Sequence, residues 1–295
     1  MQAMILAAGF GTRLLPYTNL RPKPLFPLLN EPLLLLTVRH LQNAGFDHII
    51  VNCHYLKEQI VDALSGIKGV VIQEEETVLG TGGGLRMALT QMRDEPILIT
   101  NGDIYHSIDF LELYKVHEMG DCSVTMAMHD YPRFNKVTVA DGLVTDFVGE
   151  KKENCMAFSG LHVLDVEVLR AIPEAGKSCI IDRYREYLNS GGRIQAYDVS
   201  GCSWTDMGTV DDYLALHGQL LKGEIELWPE FRARPQNSCL FHEQGCQASC
   251  LEWGCVGQVT LPSNLTLQRC VVWDGANLEE GVVYSDALLV PEKGG

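Results

Sequence analysis

The chain has 295 residues, 46% of them apolar and 21% charged, a globular composition with room for one large α/β core and a smaller appendage. Its 38 acidic against 23 basic residues leave a formal net charge of −15, which argues against nucleic acid or an anionic membrane as partner, since both select a basic face. No apolar run reaches the ~18 residues of a membrane span, and none of the ten cysteines stands in a CxxC pair.

Strands and helices alternate from the first residue. Gln2 to Ala7 is an apolar run that stops at Gly9, and its flanks lack the pattern of a secretory signal, so a reduced, cytoplasmic protein is expected. Leu33 to Asn43 has helical spacing and ends at Gly45, a natural helix stop. Strands at Ile49–Asn52, Val70–Gln73 and Pro96–Thr100 alternate with helices at Leu56–Leu64 and Leu85–Met92. This β-α-β-α-β order predicts an α/β, Rossmann-like mixed sheet, mostly parallel, with helices on both faces. The middle third is less regular: a strand at Cys122–Met128, a hairpin over Val137–Val148 turning at Asp141-Gly142, and a strand at Phe158–Leu164. Helical stretches at Val166–Ile172 and Asp182–Leu188, a strand at Arg193–Val199 and a last helix at Val210–Leu221 follow.

After Trp228 the character changes. Val272, Leu278, Tyr284 and Val290 stand six apart, with Cys270, Ala276, Val282 and Leu288 in the fifth place of successive units. A six-residue period with one large and one small inward residue predicts a short parallel β-helix. Two hairpins turning at Asp274-Gly275 and Glu280-Gly281 fit the same residues. The expected division is a catalytic domain over 1–228 and a tail over 229–295.

The stretch from Leu6 to Leu25, LAAGFGTRLLPYTNLRPKPL, carries the most chemistry. A strand opens into a loop where Gly9 and Gly11 have no Cβ to hold a ligand off, so backbone N–H groups can point at phosphate oxygens. Leu14 stands where a dinucleotide fingerprint needs its third glycine, and Thr12-Arg13 is not the end of a P-loop. Instead the loop delivers Arg13, with Lys23 ten residues later between Pro22 and Pro24. The first forty residues hold Arg13, Arg21, Lys23 and Arg39 against Glu31 alone, a cationic end suited to a polyphosphate.

The motif LAAGxGTRLxPxTxxxPKPL resembles the signature of the sugar-1-phosphate nucleotidyltransferases, and further motifs continue the resemblance in order over roughly residues 1–225. Leu79-Gly80-Thr81-Gly82-Gly83 resembles the family's second nucleotide loop, and Asn101-Gly102-Asp103 its strand-end metal aspartate. Glu150-Lys151 resembles its sugar and phosphate pair, Phe158-Ser159-Gly160 its sugar-side strand, and Trp204-Thr205-Asp206-Met207-Gly208-Thr209 its second metal aspartate. N-acetylmuramate-1-phosphate uridylyltransferases and mannose- or heptose-1-phosphate guanylyltransferases are nearest in pattern. Glu31 departs from it, standing where the family usually has Lys.

The resemblance implies attack by a sugar-1-phosphate on the α-phosphate of a nucleoside triphosphate. Mg²⁺ prefers one or two carboxylates plus phosphates and waters, and Asp103 and Asp206 are the implied ligands. Each also has a plainer reading, Asp103 as a turn residue and Asp206 as a helix cap, although Thr209 is better placed to cap. Arg13, Lys23 and Lys151 are the implied catalytic cations. Ala7, Ala8, Gly9, Gly11, Thr12, Gln73, Thr81, Gly82 and Gly102 are implied to bind the nucleotide. Glu150, Lys151, Ser159 and Gly160 are implied to hold the sugar phosphate. Small residues before Gly9 point to UTP or dTTP, with GTP left open. Two other readings are kept: a silent regulatory or assembly member of the fold, and a transferase acting on a phosphorylated alcohol such as phosphocholine. The tail offers a surface for homo-oligomerisation. Five cysteines (Cys239, Cys246, Cys250, Cys255 and Cys270) fall in the last 57 residues, at spacings that suit buried packing better than zinc.

Overall fold

Ala3, Met4 and Ile5 are wholly buried, so the first strand is apolar on both faces and takes a central place in its sheet. The computed structural model describes residues 1–148, 155–232, 235, 238–242 and 249–292. Strand β1 (Gln2–Leu6) is followed by α1 (Leu33–Asn43), β2 (His48–Cys53), α2 (Lys57–Leu64), β3 (Val70–Glu74), α3 (Gly80–Ala88) and β4 (Ile97–Asn101). Then come α4 (Phe110–Met119), β5 (Val124–His129), β6 (Val137–Ala140), β7 (Leu143–Phe147), β8 (Cys155–Leu164), α5 (Ile180–Asn189), β9 (Ile194–Asp198) and α6 (Val210–Lys222). The chain forms two compact units, one of residues 1–10 and 41–204, the other of residues 11–40 and 205–295.

The first unit is built on a nine-stranded sheet in the order β3-β2-β1-β4-β8-β5-β9-β7-β6. Strands β3, β2, β1 and β4 are mutually parallel, as are β5 and β9. The expectation of a mostly parallel sheet needs correcting beyond that, because β8 runs antiparallel to both β4 and β5. The β4–α4–β5 crossover leaves a gap one strand wide, and β8 fills it in the opposite sense after the β6–β7 hairpin has turned the chain. Alternate strand residues Met4, Ile50, Ile97, Ile99, Val124 and Met126 pack under Leu85 and Ala88 of α3 and Ile180 and Tyr184 of α5. Burial of each such aliphatic side chain contributes about 1.5–3 kcal/mol.

Two elements differ from the sequence reading. Helix α3 begins at Gly80, inside the glycine run, because Gly80, Gly82 and Gly83 pack against the backbone of residues 176–180, where a Cβ on Gly80 would lie 2.5 Å from the Ser178 carbonyl oxygen. Helix α4 was not expected. Asp109 starts it by accepting hydrogen bonds from the N–H groups of Leu111 and Glu112, at 2.8 and 3.0 Å.

The second unit holds three short 3₁₀ turns, at Thr12–Leu14, Tyr17–Asn19 and Lys23–Leu25. A two-residue hairpin follows between Pro27–Leu28 and Glu31–Pro32, turning through Leu29 (φ 49°) and Asn30 (φ 67°). With α6 it also holds the tail strands β10 (Cys239–Phe241), β11 (Ser249–Val256), β12 (Thr266–Val272), β13 (Val283–Ser285) and β14 (Leu288–Leu289). All their pairings are parallel, with partners such as Cys239 and Gly254, Gly254 and Cys270, and Val271 and Leu288. Parallel pairing excludes the two-hairpin reading. Cys270, Val272 and Ala276 are buried together with Val256, Leu265 and Leu267. Glu252, Arg269 and Asp286 stack at one corner in the left-handed region, at φ 65°, 52° and 51°. There the Arg269 guanidinium bonds both Asp286 oxygens at 2.5 Å and also reaches Glu252. The Cys250 sulfur fills the space beside Gly254, 2.7 Å from where a Cβ would stand. Burial and the neighbouring Cys239 thiol push its ionisation up. Among the described residues no three His, Cys, Asp or Glu side chains are grouped to hold a metal.

Candidate active site

In the first unit the candidate residues gather where β1 meets β4, the point at which the strand order reverses and beside which ligands bind in open α/β sheets. Leu6 pairs with Asn52 on one side and Asn101 on the other, aligning the ends of three strands. The Ala7 N–H donates to Asn52 Oδ1 at 2.8 Å, and Asn52 Nδ2 donates to Glu75 Oε1 at 2.7 Å. Glu75, only 1% exposed, accepts the Leu79 N–H on its other oxygen at 3.2 Å. This network ties the first glycine loop to the second. Gly84 makes room for it, since a Cβ there would stand 2.7 Å from Glu75 Oε1 and 2.9 Å from Asn52 Nδ2. Ala8 is largely buried, while Gly9 faces open space.

The Gly102 N–H donates to the Leu6 carbonyl at 2.9 Å, which fixes the turn that delivers Asp103. Opposite it, strand β8 slips register between Phe158 and His162. Gly160 takes φ +85° in that bulge, and a Cβ on it would lie 2.5 Å from Asn101 Nδ2. Only glycine can sit so close with that backbone. The Ser159 hydroxyl donates to the Ala127 carbonyl at 2.8 Å, and the Ser159 carbonyl accepts from Trp204 Nε1 at 2.8 Å. Asn101, Gly102, Asp103, Ser159 and Gly160 thus come together at one edge of this unit.

In the second unit Gly11 (φ +63°) opens the 3₁₀ turn that carries Thr12 and Arg13, and a Cβ on it would meet Thr18 Cγ2 at 2.8 Å. Lys23 is only 6% exposed and donates from Nζ to the Asp206 carbonyl at 3.0 Å. Arg13 Nη2 lies 3.6 Å from Asp206 Oδ2, and Asp206 Oδ1 accepts the Gly208 N–H at 3.3 Å. Gly208 is where the two side chains pass, since a Cβ there would stand 2.7 Å from Arg13 Nη1 and 2.8 Å from Asp206 Oδ2. Two cations and one carboxylate converge, a local excess of positive charge on an acidic chain. Thr209, not Asp206, caps α6, its Oγ1 accepting the Asp212 N–H at 3.1 Å. Asp206 is thereby left for other work. A carboxylate is a hard oxygen donor, the kind of group that a divalent cation such as Mg²⁺ selects.

The remaining candidates fall elsewhere. Gln73 is 2% exposed, and its amide is spent within the fold: Nε2 donates to the Gly84 carbonyl at 2.9 Å and Oε1 accepts from Gln91 at 3.1 Å. The Thr81 hydroxyl accepts the Ile180 N–H at 3.0 Å, and the Gly82 N–H donates to the Ser178 carbonyl at 2.9 Å. Glu150 and Lys151 lie outside the described residues. Glu31, the departure from the family pattern, bonds Arg39 Nη2 at 2.5 Å and accepts the Arg232 N–H at 2.6 Å. Asn52 and Glu75 were missed. Asn52 stands at a strand end and Glu75 in the middle of the acidic run Glu74-Glu75-Glu76, so both read as surface residues without their partners.

The nucleotidyl transferase family model matches residues 2–223. The probable mannose-1-phosphate guanylyltransferase 3 of Oryza sativa subsp. japonica is 27% identical over 98% of this chain and 86% of its own length. The mannose-1-phosphate guanylyltransferase of Mycobacterium tuberculosis is also 27% identical, over 96% of this chain and 82% of its own. A solved structure of a putative glucose-1-phosphate thymidylyltransferase from Bacillus anthracis superposes with a TM-score of 0.68 over 79% of this chain and 100% of that one, at 20% identity. HddC from Yersinia pseudotuberculosis gives a TM-score of 0.62 over 73% and 97%, at 23% identity. At these identities the two structures share the fold.

Proposed function

Because the chain belongs to the nucleotidyl transferase family, we propose that it moves a nucleotidyl group from a nucleoside triphosphate to a sugar-1-phosphate and releases pyrophosphate. The observation that carries this reading is the convergence of Arg13, Lys23 and Asp206, with Gly208 vacating the space between them. An oxygen of the sugar phosphate attacks the α-phosphorus, the bond from that phosphorus to the bridging oxygen breaks, and its electron pair leaves with pyrophosphate. The attacking phosphate is already ionised at neutral pH, so no general base is required. Arg13 and Lys23 stabilise the charge that grows on the leaving group, an effect whose loss costs ~10²–10³ in rate at comparable sites. Asp103 and Asp206 are the carboxylates that would each offer oxygen to Mg²⁺, which would supply charge neutralisation for the two polyanions.

Ala7, Ala8, Gly9, Gly11, Thr12 and Gly102 face the nucleotide with their backbones, and Thr81 and Gly82 shape the second loop. Gln73 serves by holding Gly84. Ser159 and Gly160 face the sugar, and Glu150 and Lys151 take the sugar ring and its phosphate. The paired alanines favour UTP or dTTP, but the two curated relatives are named for guanylyl transfer to mannose-1-phosphate, and this supports GTP with a mannose-type sugar. The catalytic domain is assigned to residues 1–228 and the tail to residues 229–295, and the parallel strands described in the tail support its reading as a short β-helix able to pair with a second copy. A cytoplasmic place suits these substrates. A silent regulatory member would be expected to lose Arg13, Lys23, Asp103 or Asp206, and all four are present. The test is pyrophosphate release with Mg²⁺, crossing four nucleoside triphosphates with mannose-, glucose-, N-acetylhexosamine-, N-acetylmuramate- and heptose-1-phosphate and phosphocholine. Turnover with GTP and a hexose phosphate supports the reading. Turnover confined to phosphocholine, or none from folded protein, overturns it.

A further inference from the structure

The tail touches the chain on both sides of Lys23. Trp273, 2% exposed, follows β12 and is pinned by its N–H to the Leu289 carbonyl at 2.8 Å. Its ring meets Phe26 at 4.7 Å between centroids and 75° between planes, and the Arg21 guanidinium lies over it at 5.1 Å. Its Nε1 donates to the Tyr213 hydroxyl at 3.1 Å, and that hydroxyl donates in turn to the Pro27 carbonyl. Arg21 and Phe26 stand two residues before and three after Lys23, so one indole grips the chain on both sides of the lysine. The 3₁₀ turn between them closes through the Phe26 N–H to the Lys23 carbonyl at 3.0 Å. A second attachment lies just beyond, where Asn30 Nδ2 donates to the Val256 carbonyl at 2.8 Å and the Cys255 thiol donates to Asn30 Oδ1 at 3.2 Å.

We propose that Trp273 is a positioning residue for the nucleotidyl transfer, acting on Lys23 through Phe26 and Arg21. The proposal rests on the reading of Lys23 as a catalytic cation. Lys23 is nearly buried, and its ammonium meets the Asp206 carbonyl at 3.0 Å, so a shift of its backbone carries the charge away from that register. An interaction used only in the transition state loses kcat when its donor moves by an ångström, while ground-state binding changes little. The tail is therefore part of the catalytic apparatus.

The test is a double-mutant cycle in the full chain, assayed with GTP and mannose-1-phosphate or the pair selected by the panel above. Trp273→Phe and Arg21→Gln are each combined with Lys23→Ala, with folded fraction read by circular dichroism; Arg21→Gln removes half the grip without opening a core cavity. The expected result is a fall in kcat of about tenfold for either variant, with KM within about threefold, and no further fall when Lys23 is already alanine. Effects that multiply in the double variants, or a kcat unchanged in both single variants, overturn the positioning role while leaving the reaction intact. Full activity of Lys23→Ala alone overturns the catalytic reading of Lys23 and the proposal with it.

Discussion

His217 lies wholly buried on α6, and its two ring nitrogens have fixed roles. Nδ1–H donates to the Tyr213 carbonyl at 3.0 Å, and Nε2 accepts the Leu29 N–H at 3.3 Å, where the hairpin turns through positive φ. Those partners require the neutral ring, and burial lowers its ionisation from 6.5 to about 4. A histidine held below its unfolded value contributes stability that is complete above pH 6.5 and lost as pH falls towards 4, because the unfolded chain binds the proton first. For that shift the loss between pH 7 and pH 5 is about 2 kcal/mol, levelling near 3 kcal/mol below pH 4. His217→Gln can keep both hydrogen bonds without titrating. It should cost about 1 kcal/mol at pH 7 from imperfect packing, then match or exceed the wild type at pH 5. Urea unfolding of both proteins at pH 7, 6 and 5, followed by tryptophan fluorescence, measures the difference. Parallel pH profiles would refute the buried neutral role of His217.

Gly208→Ala should fold with a melting temperature near the wild type, since the Arg13 guanidinium can swing aside, yet lose about 10–100-fold in kcat because Arg13 and Asp206 can no longer pass each other. Asp103→Asn and Asp206→Asn should each lower kcat by ~10²–10³ or more with the fold intact, and excess Mg²⁺ should restore little; circular dichroism and pyrophosphate release separate the two effects. Gly84→Ala should destabilise by about 1–3 kcal/mol despite the better helix propensity of alanine, because its Cβ displaces the Asn52–Glu75 bond; a thermal melt reads this directly. Gln73→Leu should lower stability by a similar order, about 1–3 kcal/mol, while leaving the ranking of the four nucleotides unchanged in the panel. A switched base preference would instead return Gln73 to the base.

Local signals were legible wherever chain stops were sharp. Helix α1 has the bounds its spacing and Gly45 announce, and the β6–β7 hairpin turns at Asp141-Gly142 through φ 49° and 73°. What escaped depends on residues far apart in the chain. The glycines of α3 look like a loop by propensity, and only the backbone of residues 176–180 shows them to be contact surfaces of a helix. The antiparallel insertion of β8 follows from which neighbour fills the gap beside β4, and no periodicity within Cys155–Leu164 encodes that choice. The motif spacing pointed to Arg13, Lys23 and Asp206 separately. That all three belong to one compact unit with the tail rests on pairs such as Phe26 and Trp273, which no local pattern links.

The corner stack of Glu252, Arg269 and Asp286 makes the tail intolerant of small changes in length. Its three members recur at intervals of seventeen residues, and their bonds link successive repeats of the parallel tail sheet. Removing a single residue between Arg269 and Asp286 brings a neighbour to the rung, and a β-strand reverses the facing of every side chain when it slips by one. Leu288, which is buried, would then exchange places with a neighbour, Ala287 or Leu289, that is only half-buried. Substitution is cheap at such a corner, whereas frame-preserving deletions are not. Lineages of this chain are therefore expected to vary in tail length by whole seventeen-residue repeats, or at connections that carry no rung.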